Sequence, residues 1–297
     1  MKFLFLFFSL SSLLWCQITI IHAGKLICGT SKDIKTVYSI LINKDKIIDV
    51  VEGYVDPGDG DQQIDLNDYT VIPGLMDMHV HLSGESNPKK YLDRFTMNLD
   101  DYAYQSVSYA EKTLMAGFTT VRDLGGPINT SLKKAIEKGH VIGPRIFSAG
   151  KALATTGGHA DPTNGMNFVL TGDPGPKQGV INGVSDARKA VRQQYKNGAD
   201  LIKITATGGV LSVAKNGENA KEFSHMVEAG ISHIDAIFSA TKTASELIEK
   251  QDVLGTIEKG KFADIIAVSG NPLQKIEVLE EVVFFIKNGK IYKNLTK

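Results

Sequence analysis

The stretch from Val71 to Leu82, Val-Ile-Pro-Gly-Leu-Met-Asp-Met-His-Val-His-Leu, most constrains what this chain can fold into. An apolar run that contains Pro-Gly predicts a buried strand, in which residues two apart share a face. We therefore expect Asp77, His79 and His81 to point the same way. Two imidazoles so spaced are common zinc ligands, although such a pair also occurs as ordinary core or surface residues. Their place at the carboxyl end of the strand favours a metal site, because parallel sheets and barrels carry their sites at that end.

The charge balance limits the kind of partner. The 297 residues include 33 basic and 33 acidic side chains, so the formal net charge is zero. This predicts no nucleic-acid partner and no attraction to an anionic membrane, and it favours a small neutral or zwitterionic substrate. The chain has two cysteines, Cys16 and Cys28, which cannot build a disulfide framework or a cysteine metal cluster.

The first residues indicate export. A lysine is followed by an apolar run from Phe3 to Trp15, which is too short to span a bilayer and fits the core of a signal peptide. We predict a signal peptide over residues 1–17, a periplasmic or secreted protein, and no stable membrane span. An uncleaved anchor or a buried strand are the alternatives.

Both ends of the remaining chain are rich in β-forming residues, and the middle alternates between strand and helix. Residues 18–72 and 255–297 contain short apolar runs, and Lys287-Asn288-Gly289-Lys290 predicts a hairpin turn. We expect the two ends to form one small β domain. Residues 73–254 predict parallel strands joined by helices. After the first strand, the predicted strands are 118–124, 145–149 and 201–205, and the predicted helices are 99–116, 132–138, 185–196, 218–229 and 232–249.

Lys203 lies in the middle of the apolar run Leu201-Ile202-Lys203-Ile204-Thr205. A lysine is rarely buried without a partner. A buried lysine has a lowered pKa, and its neutral amine can take up carbon dioxide to become a carbamate that bridges two cations. The alternative is an ion pair with a carboxylate such as Asp77 or Asp123.

Two loops carry further candidates. The first loop has the sequence Thr155-Thr156-Gly157-Gly158-His159-Ala160-Asp161-Pro162. Its paired glycines allow close approach to a ligand, so His159 is a candidate donor to a substrate carbonyl or carboxylate. As an isolated loop it is more often a simple turn. Asp123 ends a predicted strand and is a candidate carboxylate at the mouth of the sheet, with a supporting or structural role as the alternative.

Taken in order, these motifs resemble the metal-dependent amidohydrolase family, and most of all its imidazolonepropionase-like and Xaa-Pro-dipeptidase-like branch. The resemblance is carried by residues 73–81, 119–126, 157–162, 201–210, 217–223 and 255–268. It implies an α/β fold with a TIM-type (β/α) barrel beside a small β-sandwich formed by both termini. It also implies one or two Zn²⁺ ions, or another divalent metal, that activate water to hydrolyse a C–N bond of a small amide, lactam or dipeptide-like substrate.

The resemblance assigns roles to four positions. His79 and His81 would hold a metal, and Lys203, as a carboxylated lysine, would bridge the metals and take part in catalysis. His159 would contact the substrate. The family pattern also includes two further ligand histidines and a metal-binding aspartate, which we do not find. The later histidines, His225 and His233, fall in predicted helices.

The barrel region is also short. Residues 73–254 offer about four strand-helix units, whereas an eight-unit barrel takes roughly 250 residues. We therefore predict a partial barrel with an internal deletion between about Ser212 and Gly217. Such a barrel would expose edge strands, which favours homo-oligomers or aggregation. Two hypotheses follow: an active hydrolase, or a non-catalytic remnant that is misfolded or only binds metal. Exchange between two copies is a third possibility.

Overall fold

The structure, a computed structural model, describes residues 17–206 and 216–296. The predicted signal peptide lies outside these residues except for its last position. The strands are β1 Thr19–Leu26, β2 Lys35–Asn43, β3 Lys46–Glu52, β4 Gln62–Pro73, β5 Leu75–Val80, β6 Phe118–Asp123, β7 Arg145–Ser148, β8 Ile265–Ser269, β9 Val282–Lys287 and β10 Lys290–Asn294. The α-helices are α1 Lys90–Thr96, α2 Leu99–Met115, α3 Asn129–Glu137, α4 Phe168–Thr171, α5 Val184–Asn197, α6 Lys221–Glu228, α7 His233–Ser239 and α8 Lys242–Leu247.

Strands from both ends of the chain form one seven-stranded sheet, in the order β10-β9-β8-β4-β1-β2-β3. All its pairs are antiparallel except β1 with β4. The predicted hairpin turn joins β9 to β10, and Asn288 and Gly289 both have positive φ, as a tight two-residue hairpin loop requires. This is one sheet, so the description of the region as a sandwich stays a prediction, as do the domain boundaries.

The stretch from Val71 to Leu82 is not one strand. Val71 to Pro73 end β4 in the seven-stranded sheet, and Leu75 begins β5 in a second sheet. Gly74 marks the division, and a Cβ there would lie 2.4 Å from the hydroxyl oxygen of Thr119. Glycine is therefore needed where the chain passes from one sheet to the other.

The second sheet is parallel and contains β5, β6 and β7 in that order. Helix α2 packs against β6, and α3 packs against β7. The start of α2 is fixed by a capping box, in which the side chains of Asn98 and Asp101 satisfy each other's backbone amides. These strands match three of the predicted ones, and the described residues contain no closed barrel.

The prediction of a fourth regular strand over 201–205 is wrong. This segment is extended, but it makes only a parallel bridge between Ile204 and Leu153, with Leu153 N donating to Lys203 O at 2.8 Å and Thr205 N donating to Leu153 O at 2.9 Å. Because β7 ends at Ser148, the segment pairs with a loop rather than with a strand.

The helix predicted over 232–249 is also divided. Helix α7 ends at Ser239, α8 begins at Lys242, and Thr241 between them has a non-helical backbone with φ −133° and ψ −95°. The hydroxyl of Thr241 donates to the carbonyl of Ile237 at 2.8 Å, a local bond of the kind that competes with helix continuation. Among the helices that the structure describes, none is long and apolar enough to cross a bilayer.

A buried polar network joins the two sheets. Arg145 on β7 donates to a carboxylate oxygen of Asp264 at 2.7 Å and also contacts Asn288 in the β9–β10 turn. Lys287 is buried, and its Nζ donates to the carbonyl of Gly143 at 2.6 Å. Burial, followed by the nearby charge of Arg145, lowers the pKa of Lys287 to about 8. The sheets are therefore linked by charged hydrogen bonds as well as by a shared apolar core.

Candidate active site

His79 and His81 lie side by side at the carboxyl end of β5. Their ring centroids are 5.5 Å apart and the ring planes meet at 65°. Both side chains are exposed. The strand end is held by Asp77, whose carboxylate accepts a hydrogen bond from the backbone N–H of His79 at 2.9 Å. The pair therefore presents two imidazoles to solvent from a backbone that is fixed locally.

The two rings differ in what holds them. The pKa of His79 is lowered, first by partial burial and then by the charges of His81 and Lys203, while Asp77 acts in the opposite direction. The neutral ring, which is the form that binds metals, is thus favoured. Nδ1 of His81 lies 2.9 Å from the carbonyl oxygen of Gly125. Since a carbonyl only accepts, Nδ1 carries the proton in the neutral ring, and Nε2 keeps its lone pair for a ligand.

Asp123 is fully buried at the end of β6 and organises the loops around His81. Its carboxylate accepts from the backbone N–H groups of Leu82 and Gly125, both at 3.1 Å, and from the side chain of Asn129 at 3.0 Å. Burial raises its pKa, against the opposing effect of these hydrogen bonds. Leu82 follows His81, and Gly125 supplies the carbonyl that His81 contacts. Asp123 therefore supports the position of His81 from beneath.

Lys203 is not buried as predicted. Its side chain is half-buried, and Ile204 beside it is 62% exposed. Its charge contributes to the lowered pKa of His79, so the ammonium lies within electrostatic range of that ring. In the described part of the chain, the ammonium makes no ion pair with Asp77 or Asp123. The segment stays open because no described element covers its outer side.

His159 is exposed on the loop that follows β7. The loop is shaped by Asp161, whose carboxylate accepts from the backbone N–H groups of Gly157 and Thr163 at 2.8 and 2.9 Å, and from the hydroxyl of Thr163 at 2.7 Å. Burial raises the pKa of Asp161, but these hydrogen bonds outweigh it and the net change is downward. The loop is therefore a structured turn with His159 at its surface.

Sequence reasoning missed Asn219. Its side-chain amide donates to the second carboxylate oxygen of Asp77 at 2.6 Å. Asn219 belongs to one of the family-like motifs, but no spacing rule connects it to a residue 142 positions earlier in the chain. The contact brings the C-terminal part of the chain to the strand that carries His79 and His81.

The donors for a cation are few in the described residues. Residues 17–206 and 216–296 contain no group of three or more histidine, cysteine, aspartate or glutamate side chains that could hold a metal. The later histidines lie on helices, as predicted: His225 on α6, beside Glu228 at 3.5 Å, and His233 at the start of α7. A site here would therefore consist of His79 and His81 with Lys203 as the third group.

Comparison with known proteins decides the family. The profile of the amidohydrolase family matches residues 70–219 and 214–293. The chain belongs to the amidohydrolase family. The two matches meet at residues 214–219, next to the predicted deletion between about Ser212 and Gly217, most of which lies outside the described residues.

Individual amidohydrolases place the chain more closely. An ochratoxinase of Aspergillus niger is 31% identical in an alignment 230 residues long that covers 70% of this chain and 46% of the ochratoxinase. The chain thus spans about half the length of the curated relatives it matches. A crystal structure of a Xaa-Pro dipeptidase with methionine bound in its active site matches with a TM-score of 0.90 and 34% identity, over 94% of this chain and 100% of that one. The predicted resemblance to the amidohydrolases and their Xaa-Pro-dipeptidase-like branch is confirmed.

The fold is shared more widely. The crystal structure of A. niger ochratoxinase matches with a TM-score of 0.80 over 94% of this chain and 96% of that one, at 21% identity. That identity shows the fold alone. The mixed α/β architecture of this chain is therefore that of the amidohydrolases, although its described residues form a parallel sheet of three strands.

Proposed function

We propose that this amidohydrolase hydrolyses a C–N bond of a small amide, lactam or dipeptide-like substrate with the help of a divalent metal. The observation that carries the proposal is the pair of adjacent imidazoles of His79 and His81 at the carboxyl end of β5, in a chain that belongs to this family. The likeness to a Xaa-Pro dipeptidase supports a dipeptide-like substrate. The likeness to an ochratoxinase supports a hydrolase of C–N bonds in general.

The residues present fit a divalent cation under one condition. The imidazoles of His79 and His81 suit Zn²⁺, and the hydrogen bond of His81 to Gly125 leaves its Nε2 available. Lys203 in its ammonium form would repel a cation. As a carbamate it would carry a negative charge. It could then join the two imidazoles as the third ligand of a site for one or two zinc ions. When bound, the cation would supply a water molecule of lowered pKa.

The remaining roles belong to the protein. His159 would donate a hydrogen bond to the carbonyl or carboxylate of the substrate from its loop. Asp77 would keep β5 in place through the N–H of His79 and the amide of Asn219. Asp123 would keep the ring of His81 oriented through Gly125. Each of these groups holds or orients. Solvent would take the proton of the attacking water and return a proton to the nitrogen as the C–N bond breaks.

A second candidate is a non-catalytic remnant that binds a cation without turnover. It is favoured by a specific observation: both oxygens of Asp77 already accept hydrogen bonds, and Asp123 is buried among its own donors. Both carboxylates are therefore engaged in positioning the protein's own groups, and no geometry among the described residues places either as a base for a bound water. A placed base contributes about 10²- to 10⁴-fold to such a reaction, so its loss would leave little activity.

Metal analysis and hydrolysis assays on the full chain separate the two candidates. We expect one or two zinc ions per chain, chelator-sensitive hydrolysis of Xaa-Pro dipeptides or N-acyl amino acids, and loss of both zinc and activity in His79→Ala and His81→Ala. His225→Ala, on the exposed side of α6, is the matched control. Zinc without hydrolysis would support the remnant, and a chain without zinc would overturn both proposals.

¹³C NMR after incubation with ¹³CO₂ would detect a carbamate that disappears in Lys203→Ala.

We also propose that the protein is exported. The apolar run from Phe3 to Trp15 supports a signal peptide. Expression of the full chain in a bacterial host, followed by fractionation and N-terminal sequencing, tests this. Removal of about the first 17 residues from a periplasmic or secreted product is the expected result, and an uncleaved cytoplasmic product would overturn it.

A further inference from the structure

Helix α5 presents a cationic face to solvent. Four of its side chains carry a positive charge and are exposed: Arg188, Lys189, Arg192 and Lys196. They line a surface groove of about 550 Å³, and none of them forms an ion pair with a described residue. With Asp186 as its one carboxylate, α5 has a net charge of +3, four cations less one anion, in a protein whose formal net charge is zero.

A line of apolar side chains runs along α5 beside the cationic face. Val184, Val191 and Tyr195 are 69, 41 and 82% exposed. They follow each other after seven and four residues, so they lie on one side of a helix with 3.6 residues per turn. Ala190 and Gln194, on the side that faces the molecule, are buried. An exposed apolar line with a charged border is typical of an interaction surface.

The exposed side of α5 lies at the open edge of the parallel sheet. Asp200 follows α5 by three residues, and its N–H donates to the carbonyl of Ser148 at the end of β7 at 2.8 Å. The segment with Ile204 comes next and is exposed as well. In a longer parallel sheet, a further strand and its helix would pack here. The exposure of the three apolar side chains shows that no described element fills this place.

A second exposed face, of opposite charge, is formed by α1 and the start of α2. Residues 91–104 contain three carboxylates and one cation, so their net charge is −2, and none of the carboxylates forms an ion pair with a described residue. The apolar side chains of this face are 46–80% exposed: Tyr91, Leu92, Phe95, Leu99 and Tyr104. The hydroxyl of Tyr91 donates to the carbonyl of Gly165 at 2.7 Å, which holds α1 against the rest of the molecule.

The two faces complement each other in both charge and apolar character. An anionic lipid surface or a nucleic acid would match the cations of α5 but would leave the apolar side chains of residues 91–104 in water. It would also repel the carboxylates of that face. A second copy of the chain presents an anionic face with apolar side chains to α5, and a cationic face with apolar side chains to residues 91–104.

The size of the two faces fits a pair of copies that exchange them. Helix α5 has nine exposed residues and residues 91–104 have ten, so each copy offers nineteen. A stable interface of standard size takes roughly 20–30 residues from each partner. This number is approached only when both faces of a copy are used at once. A twofold axis does this, because each contact then occurs twice.

We propose that the protein forms a homodimer in which α5 of each copy docks against α1 and the start of α2 of the other. The apolar lines of the two faces pack together at the centre of each contact. The cations of α5 and the carboxylates of residues 91–104 surround them and set the orientation. This contact joins helix faces, whereas association through the open edge of the sheet would join strands.

Sedimentation equilibrium of the full chain with a charge exchange tests the dimer. Arg192→Glu/Lys196→Glu makes α5 anionic, and Thr96→Lys/Asp100→Lys makes the second face cationic. Each variant alone should raise the dissociation constant about tenfold or more, because like charges then face each other. An equimolar mixture of the two variants should recover wild-type affinity, because opposite charges meet again in both contacts of the mixed dimer. Lys250→Glu/Lys259→Glu, at two other exposed positions, is the matched control and should leave the dimer unchanged.

A chain that is monomeric would overturn the proposal, and binding of this monomer to vesicles of anionic phospholipid would assign α5 to a lipid surface instead. A dimer that both reversals leave intact would also overturn it. If Ile204→Thr then dissociates that dimer, association runs through the strand edge. Failure of the mixture to recover the dimer would count against the proposed pairing of faces, provided that circular dichroism shows both variants to be folded.

Discussion

The seven-stranded sheet and the three-stranded parallel sheet contrast in how completely the chain covers them. In the larger sheet, strands from both ends of the chain pair antiparallel except for β1 with β4, and residues such as Ile265, Phe284 and Ile286 are fully buried. In the parallel sheet, the one described segment that pairs beyond β7 is the extended segment with Ile204, which is largely exposed. The central strand of the parallel sheet, β6, is itself almost fully buried, so the difference lies at the edge beyond β7. The candidate site is therefore carried by the sheet with this open edge.

The contrast shows that stability and chemistry are divided between two parts of the molecule. Antiparallel strands need only a tight turn between neighbours, whereas each parallel strand needs a crossover of a dozen or more residues. A given number of residues can therefore add fewer strands to a parallel sheet than to an antiparallel one. We expect substitutions in the larger sheet to determine folding, and substitutions in the smaller one to determine ligand binding.

Phe284→Ala should give the largest effect. Phe284 is fully buried in β9, and the removal of a buried phenylalanine side chain costs about 3–5 kcal/mol. We expect the free energy of unfolding, measured by urea denaturation, to fall by this amount. Leu295→Ala, at a position 66% exposed, is the control and should change little. A cost below about 1 kcal/mol for Phe284→Ala would show that the larger sheet does not dominate stability.

Lys287 should make the junction between the sheets sensitive to pH. Its pKa is about 8 in the folded protein and 10.5 ordinarily, so between these values the unfolded chain binds more protons. The free energy of unfolding should therefore rise with pH across this window, by up to about 3 kcal/mol. Below pH 8 both states are protonated and this contribution is absent. Urea denaturation from pH 7 to 10.5 should show the rise in the wild type and a flatter profile in Lys287→Met, whereas parallel profiles would contradict the prediction.

Asp123→Asn should have a smaller effect on stability but a specific one on the site. An amide can accept the hydrogen bonds on only one side, so at least one donor among Leu82, Gly125 and Asn129 loses its partner, at a cost of about 1–3 kcal/mol. The ring of His81 should also become less fixed. We expect weaker zinc binding by a competition assay, and unchanged zinc affinity in a folded variant would show that Asp123 does not support His81.

The sequence was most informative where local signals set the structure. Asn288-Gly289 predicted the hairpin because both residues accept positive φ, and the helix predicted from Leu99 begins there because Asn98 and Asp101 cap it. The spacing of His79 and His81 correctly placed their rings side by side. In each case the cause lies within a few residues, so a single sequence contains it.

Features that depend on distant parts of the chain were not predictable in the same way. The run from Val71 to Leu82 is apolar in both of its halves, so periodicity could not reveal that it divides at Gly74 between two sheets. The contact of Asn219 with Asp77 joins residues far apart in the chain. The exposure of Lys203 depends on which elements cover its segment, and an apolar pattern alone predicted burial. Metal binding and the role of His159 stay predictions.

Ile204→Thr should have the smallest effect on stability and the most direct bearing on the contrast between the sheets. Ile204 is 62% exposed, and exposed substitutions usually change stability by less than about 0.5 kcal/mol. If its segment stays uncovered in solution, denaturation curves should match the wild type. The open edge also favours association of copies, so the variant should shift sedimentation toward the monomer. Ile286→Thr, at a fully buried position, is the matched change and should destabilise strongly. A large loss of stability for Ile204→Thr would mean that something covers this edge, and the two sheets would then be equally complete.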